Sequence, residues 1–154
     1  MTDIEYAKKW ADTRLNDQAA HRDLYAASEE FVIESRKVND HLGDTISTDE
    51  EFREDLPVWA DGRQSMTVTE VFEGNGHLMI HWDYQVEGAD TYRGLSTEGK
   101  TLTTKASTFL QFNDAGKIIL ESTFVNENPL FQQLGVPIIT PHYWEEGFDP
   151  ASLG

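Results

Sequence analysis

Cysteine is absent from this sequence of 154 residues. The absence excludes disulfide bonds, thiolate metal sites and cysteine nucleophiles. The sequence also lacks any apolar run of about 18 residues and any basic segment followed by a short apolar one. We therefore expect neither a transmembrane helix nor a secretory signal peptide, and we predict a cytoplasmic protein.

Basic residues are scarce. Lysine and arginine total 12 against 28 aspartates and glutamates, which gives a formal net charge of −16. No basic patch is present to receive a phosphate backbone or an anionic membrane, so nucleic acid and membrane partners are not expected. The acidic residues are spread along the chain, a pattern typical of a solvated surface. Neutral organic small molecules remain as candidate ligands.

Motifs for metals, phosphates and serine nucleophiles are also lacking. The five histidines do not form a zinc motif. Gly88, Gly94 and Gly99 do not match the glycine-rich patterns that hold phosphates, and no GxSxG sequence is present. We therefore predict a protein without a metal or a cofactor.

The N-terminal part of the chain has helical periodicity. Thr2 or Asp3 can cap a first helix, and a second short helix should follow and stop near Ser28. A capping-box pattern predicts a further helix that begins at Thr48, satisfies backbone amides through Glu51, and ends at Pro57. The apolar positions of the first two helices are Ile4, Ala7, Trp10, Ala11 and Leu15, then Ala19, Ala20, Leu24 and Tyr25.

Most of the rest of the chain favours β-strands. Strands are predicted over residues 30–38, 66–73 and 77–86, the last two joined by a tight turn at Gly74-Asn75-Gly76. A polar loop should cover residues 87–100. Two long strands with a turn at residues 113–116 follow, and then a short helix begins near Pro129. Helices first and antiparallel strands afterwards indicate an α+β fold in a single domain of residues 1–154, with residues 136–154 as a C-terminal tail.

Two segments near the end of the sheet resemble a known family. Gly116-Lys117-Ile118, and then the run from Asn128 to Gly135 (NPLFQQLG), are similar to the C-terminal half of SnoaL-like polyketide cyclases. These belong to the nuclear-transport-factor-two-like superfamily, together with the ketosteroid isomerases. The resemblance covers residues 10–135 and implies a cone-shaped, curved and mostly antiparallel sheet. N-terminal helices would pack on its concave face, around a small-molecule pocket.

The resemblance also implies where acid/base residues should stand. Thr123 occupies the position of the cyclases' aspartate and Thr108 that of their histidine, and a hydroxyl does not replace a carboxylate in proton transfer near neutral pH. Glu121 lies two residues before Thr123 and so shares its face of the strand. It is our candidate general acid or base. Alternation alone favours an outward-facing Glu121, because the opposite set is more apolar: Ile118, Leu120, Ser122 and Phe124.

The strand over residues 77–86 supplies the other candidates. Leu78, Ile80, Trp82 and Tyr84 share one face, which is either pocket wall or simply core. We predict that the Tyr84 phenol donates a hydrogen bond to a substrate oxygen, and that Trp82, Thr108, Thr123 and Tyr25 bind the ligand. His81 and Asp83 lie on the opposite face. They form either a proton-shuttle or metal pair, or part of a dimer interface on the outer sheet face.

The function predicted from these features is cofactor-free acid/base catalysis on a hydrophobic or polyketide-like small molecule, by a homodimeric enzyme. Cyclisation, isomerisation, dehydration (a lyase reaction) and epoxide opening all remain open. The alternative is a non-catalytic ligand-binding or assembly module with the same pocket. Threonine at both expected acid/base positions, 108 and 123, favours that alternative.

Overall fold

Seven strands are seen in a computed structural model that describes residues 1–27, 29–37, 62–92, 94–136, 144 and 146–153. They are β1 (Val32–Lys37), β2 (Arg63–Gly74), β3 (His77–Glu87), β4 (Thr91–Tyr92), β5 (Leu95–Ser96), β6 (Leu102–Phe112) and β7 (Ile118–Val125). In this described part of the chain, five strands form one sheet in the order β1-β7-β6-β3-β2. β1 runs parallel to β7, and the other neighbours are antiparallel. The predicted α+β class and mostly antiparallel sheet are confirmed.

Two tight turns set the register of the antiparallel strands. Gly76 and Gly116 have φ values of +74° and +73°, a backbone conformation that side chains with a Cβ rarely adopt. In the second turn the side-chain oxygen of Asn113 accepts hydrogen bonds from the backbone N–H groups of Ala115 at 3.1 Å and Lys117 at 2.9 Å. Both predicted hairpin turns are confirmed.

Helices α1 (Asp3–Asn16) and α2 (Gln18–Arg22) precede the sheet and pack on its concave face. Thr2 caps α1, since its hydroxyl accepts from the Glu5 N–H while the Glu5 carboxylate accepts from the Thr2 N–H. α2 ends at Arg22, earlier than the apolar pattern suggests. The reason is that Tyr25 leaves the helix to form a β-bridge with Ile118 of β7.

The inner face of the sheet carries the core, and β3 follows the predicted alternation along its whole length. Leu78, Ile80, Trp82 and Tyr84 are all buried. From the helices, Ala7, Trp10 and Ala11 pack into the same cluster. The outer face retains large apolar side chains in solvent, with Phe72 53% and Phe124 43% exposed.

A β-bulge in β7 changes which residues point inward. Leu120 pairs with Gln111 and Ile118 pairs with Phe112, so Ile119 is an extra residue on this strand. Ile118 is buried on one side of the bulge, and Glu121 and Thr123 are buried on the other. The expectation that strict alternation turns Glu121 outward is therefore wrong. Leu120 and Ser122 are only partly buried, and Phe124 is exposed.

The predicted polar loop after β3 is more ordered than the sequence indicates. It contains the short hairpin of β4 and β5, and Tyr92 and Thr97 within it are buried. The Tyr92 hydroxyl donates to the Glu127 carboxylate at 2.8 Å, which holds this segment against the start of helix α3 (Asn128–Gln133). The helix predicted near Pro129 is confirmed.

Some predicted features lie outside the described residues. They are the helix over residues 48–57 and most of the tail. The predicted end of the second helix near Ser28 is wrong, because α2 ends at Arg22. Within the tail, Pro150–Leu153 form a short 3-10 helix, and Trp144 is exposed. None of the helices in the described ranges has the length and apolar content needed to cross a membrane.

Candidate functional site

A chain of buried polar side chains crosses the interior from the sheet. The indole N–H of Trp82 on β3 donates to the Thr108 hydroxyl on β6 at 3.0 Å. Thr108 and Thr123 on β7 are joined at 2.9 Å, and the Thr123 hydroxyl donates to Glu121 Oε1 at 3.1 Å. We call Trp82, Thr108 and Thr123 the sheet arm. The two threonines at the expected acid/base positions thus bind each other and lead to Glu121.

A second chain reaches the same carboxylate from the helices. The hydroxyl of Thr13 on α1 lies 3.0 Å from His21 Nδ1 on α2. His21 Nε2 lies 3.3 Å from the Tyr25 hydroxyl, which donates to Glu121 Oε2. We call Thr13, His21 and Tyr25 the helix arm. Trp10 joins it, because its indole N–H donates to the Tyr25 oxygen at 3.2 Å.

The direction of the hydrogen bonds in the sheet arm is fixed at its two ends, by the Trp82 indole as a donor and the Glu121 carboxylate as an acceptor. An indole N–H can only donate, and each threonine hydroxyl has a single proton. Thr123 uses its proton in the hydrogen bond that it donates to Glu121. In the bond between the threonines, Thr108 must therefore be the donor and Thr123 the acceptor. Glu121 Oε1 therefore stands as the final acceptor of this arm. A carboxylate that receives hydroxyl protons on both oxygens is stabilised in its ionised form.

Burial sets the protonation states of the helix arm. His21 is fully buried, and this burial, assisted by the positive charge of Arg14, lowers the pKa of its imidazole to about 3. The ring is therefore neutral near neutral pH. Burial also raises the pKa of Tyr25 well above its usual range, and the neighbouring Glu121 carboxylate adds to this effect through its charge and its hydrogen bond. The Tyr25 phenol keeps its proton and can donate it.

Aromatic rings surround the polar chain. Trp10 and Trp82 pack edge to face with their ring centroids 6.2 Å apart. Tyr25 and Phe31 lie 5.3 Å apart, and Trp82 and Tyr84 lie 6.3 Å apart. Glu121, 8% exposed, is thus a carboxylate in a largely apolar interior, where its interactions with donors are stronger than in water.

No protein-family model matches the sequence, and no curated protein matches it. Solved structures do resemble the chain. A protein from Catenulispora acidiphila with a ketosteroid isomerase-like fold, in complex with trimethylamine, has a TM-score of 0.62 and 18% identity over 91% of this chain and 100% of that one. The chain has the ketosteroid isomerase-like fold. This result confirms the predicted cone.

Two further structures with this fold carry provisional functional names. IdmH of Streptomyces antibioticus, provisionally a polyketide cyclase, has a TM-score of 0.66 and 14% identity over 88% of this chain and 100% of its own. A provisionally assigned SnoaL-like polyketide cyclase from a Jannaschia species has a TM-score of 0.64 and 11% identity, over 88% of this chain and 92% of its own. Identities this low establish the fold and leave the reaction to be argued from the site.

The ketosteroid isomerase-like fold of this chain brings most of the predicted site residues together. Glu121, Thr108, Thr123, Trp82 and Tyr25 are linked by the hydrogen bonds of the two arms. Trp10, Thr13 and His21 are members that sequence reasoning missed. A signal was present, since the spacing of Trp10 from Thr13, and of His21 from Tyr25, is that of neighbours on one helix face.

Tyr84 packs against Trp82 of the sheet arm but lies far from Glu121. In the register of the sheet, Glu121 pairs with Leu110 and Leu110 pairs with Leu78, six residues along β3 from Tyr84, or about 20 Å. The Tyr84 hydroxyl donates to Gln64 Oε1 at 2.6 Å. Tyr84 also borders a groove of about 600 Å³ whose lining comes mostly from the outer sheet face. Its role as a donor to substrate stays a prediction.

His81 and Asp83 lie on the outer face of β3, which is where the dimer-interface alternative places them. His81 Nδ1 is 3.3 Å from a Glu70 carboxylate oxygen, and the Lys105 ammonium group donates to Asp83 at 2.9 Å. In the ranges that the structure describes, no three histidine, aspartate or glutamate side chains are arranged to hold a metal ion.

Proposed function

We propose that this chain is a cofactor-free acid/base enzyme that acts on a hydrophobic, polyketide-like small molecule, with Glu121 as its general base. The observation that carries the proposal is the Glu121 carboxylate, buried among aromatic rings and receiving hydroxyl protons on both oxygens. These two hydrogen bonds hold the carboxylate in a fixed position in a site of low polarity. The pKa of the Tyr25 phenol beside it is raised, and titratable groups with shifted pKa values cluster at catalytic sites.

The chemistry starts with proton abstraction. A C–H bond next to a substrate carbonyl breaks, its electron pair stays on the substrate as an enolate, and the proton forms an O–H bond to Glu121. Return of that proton to another atom completes an isomerisation. In a cyclisation the enolate carbon bonds to a second carbonyl carbon of the same molecule, whose C=O π bond breaks, and the resulting alkoxide takes the proton from Glu121. General base catalysis of this kind contributes about 10²- to 10⁴-fold to the rate.

The hydrophobic substrate class is supported by the residues around the base. Trp10, Trp82 and Phe31 offer apolar surfaces and no charge. The provisional naming of two structures of this fold as polyketide cyclases agrees with such a substrate. Tyr84 is proposed separately as a hydrogen-bond donor to the distant end of an elongated substrate.

The test uses two isosteric variants, Glu121→Gln and Glu127→Gln. Glu127 is a matched control, since it is also buried and also accepts a hydrogen bond from a tyrosine. The assay follows deuterium incorporation next to the carbonyl, by proton NMR in D₂O, for a panel of aromatic ketones that includes α-tetralone. We expect acceleration by the native protein, a loss of about 10²-fold or more in Glu121→Gln, and the native rate in Glu127→Gln.

The same experiment separates the enzyme from the binding module. Binding of the aromatic ketones by the native protein with no acceleration of exchange would overturn the enzymatic proposal in favour of a ligand-binding protein. Equal rates for the native protein and Glu121→Gln would leave an enzyme whose base is another residue.

We also propose that the active form is a homodimer that associates through the outer sheet face. The exposed Phe72 and Phe124 on this face support an interface there. Sedimentation velocity at micromolar concentration tests it. A dimer that Phe124→Asp converts to a monomer is the expected result, and a monomeric native protein would contradict it. The cytoplasmic location remains a prediction.

A further inference from the structure

The helix arm contains only one proton for each of its contacts. Thr13, His21 and Tyr25 make three contacts in sequence that end at Glu121 Oε2. The neutral imidazole has one N–H, and each hydroxyl has one proton. The ring proton is therefore on either Nδ1 or Nε2, and this choice decides the direction of every bond in the arm.

Two arrangements make all three contacts hydrogen bonds. In the first, Thr13 donates to His21 Nδ1, the Nε2–H donates to the Tyr25 oxygen, and Tyr25 donates to an ionised Glu121. In the second, every bond runs the other way, and Glu121 must carry an additional proton to donate to Tyr25. The two arrangements differ by one proton in total.

With an ionised Glu121, only the first arrangement makes all three contacts hydrogen bonds. With the proton on Nδ1, the single proton of Tyr25 would have to serve both His21 Nε2 and the carboxylate. In the first arrangement Thr13 turns its one proton to His21 Nδ1 and gives up the hydrogen bond that its hydroxyl can donate to the Lys9 carbonyl at 2.8 Å. That carbonyl accepts a backbone bond within α1, so it does not depend on the Thr13 proton.

We propose that His21 and Thr13 are positioning residues, and that the His21 Nε2–H, fixed by Thr13 at Nδ1, directs the Tyr25 proton onto Glu121. This inference rests on the proposed function, because it assumes that Glu121 is the ionised base. The titratable and charged groups around the arm, within the described residues, are Arg14 from α1, His21 and Tyr25 from the α2 region, and Glu121 from β7. Ile33 is the residue paired with Glu121 on β1.

The same reasoning gives an unusual consequence for Glu121→Gln. The sheet arm ends with the Thr123 hydroxyl donating, so the new amide must present its oxygen to Thr123. Its NH₂ group then faces Tyr25 and donates to the phenol oxygen. Tyr25 must turn its own proton to His21 Nε2, and the imidazole proton moves to Nδ1. One isosteric substitution on β7 should therefore change the tautomer of a histidine on α2.

Nitrogen-15 NMR of the imidazole rings at neutral pH tests the inference without a substrate. We expect the His21 proton on Nε2 in the native protein and in the control Glu127→Gln, and on Nδ1 in Glu121→Gln. A native ring protonated on Nδ1, or the same tautomer in the native protein and Glu121→Gln, would overturn the inference. The native spectrum alone is decisive if the variant does not fold.

Kinetics of Thr13 variants separate positioning from stability. If an accelerated exchange reaction is found, Thr13→Val should lower kcat about three- to tenfold with little change in KM, and Thr13→Ser should restore it. Native kcat in Thr13→Val would overturn the positioning role. A tautomer change in Glu121→Gln together with no catalysis of any ketone would instead retain the arrangement of the arm and remove the proposed function.

Discussion

The described part of the interior holds two buried tyrosine–glutamate pairs with very different surroundings. Tyr25 donates to Glu121, and Tyr92 donates to Glu127 at 2.8 Å. Glu127 stands at the start of α3, where its backbone carbonyl accepts from the N–H groups of Leu130 at 3.0 Å and Phe131 at 3.1 Å. Glu121 lies within β7 and receives a second hydroxyl, that of Thr123.

The comparison teaches that burial of a carboxylate does not by itself indicate catalysis. Glu127 is 3% exposed, less than Glu121, yet its contacts connect the β4 segment to the first turn of α3. Glu121 is connected to side chains from α1, α2, β3 and β6, through hydroxyl, indole and imidazole groups. The Tyr92–Glu127 pair joins two segments of backbone, whereas the Tyr25–Glu121 pair belongs to a network of side-chain hydrogen bonds.

Removal of each phenol should give the largest contrast between the pairs. Tyr25→Phe takes a hydrogen bond away from a charged base, so we expect turnover of a ketone substrate to fall about 10- to 100-fold. Tyr92→Phe should retain the native rate. Steady-state kcat/KM for both variants checks this, and an equal loss in the two would mean that the pairs share one structural role.

Acid should affect the protein through the Tyr25–Glu121 pair, because only this one of the two pairs contacts a histidine in the described residues. The pKa of His21 is lowered to about 3 in the folded protein, so on acidification the unfolded chain binds its proton first. Its contribution to stability is complete above about pH 6.5 and is lost as the pH falls toward 3. Between pH 7 and pH 5 this costs about 2 kcal/mol.

Urea unfolding at several pH values measures this slope. The slope should be reduced in His21→Gln relative to the native protein measured in parallel. NMR titration of the native protein gives an independent result. An imidazolium at His21 already at pH 5 would contradict the expectation.

The smallest effect should come from the Tyr92–Glu127 pair, and we expect it on stability alone. Tyr92→Phe removes one buried hydrogen bond and should lower the free energy of unfolding by about 1 kcal/mol. Amide hydrogen exchange should become faster in α3, whose first turn contains Glu127 as its cap. A loss of that size with unchanged exchange in α3 would show that the pair does not hold this helix.

Much of the fold could be predicted from local patterns. The two turns, the alternation of β3 and the helix at Pro129 depend on neighbouring residues alone. The site was predicted in part: Trp82, Thr108 and Thr123 follow from the family pattern, and Glu121 from its proximity to Thr123. Trp10, Thr13 and His21 could not be assigned, because their function depends on how two helices pack across a sheet. The direction of each hydrogen bond likewise depends on contacts between residues distant in sequence.

The bulge at Ile119 makes the interior sensitive to the length of β7 as well as to its composition. A strand has two sides, and each added residue exchanges them for everything that follows. A regular strand of the same sequence, without the bulge, would keep every chemical group, yet it would turn Glu121 and Thr123 toward solvent and Phe124 toward the core. Among related sequences, the number of residues between the glycine turn and the carboxylate is therefore as informative as the identity of any residue within it.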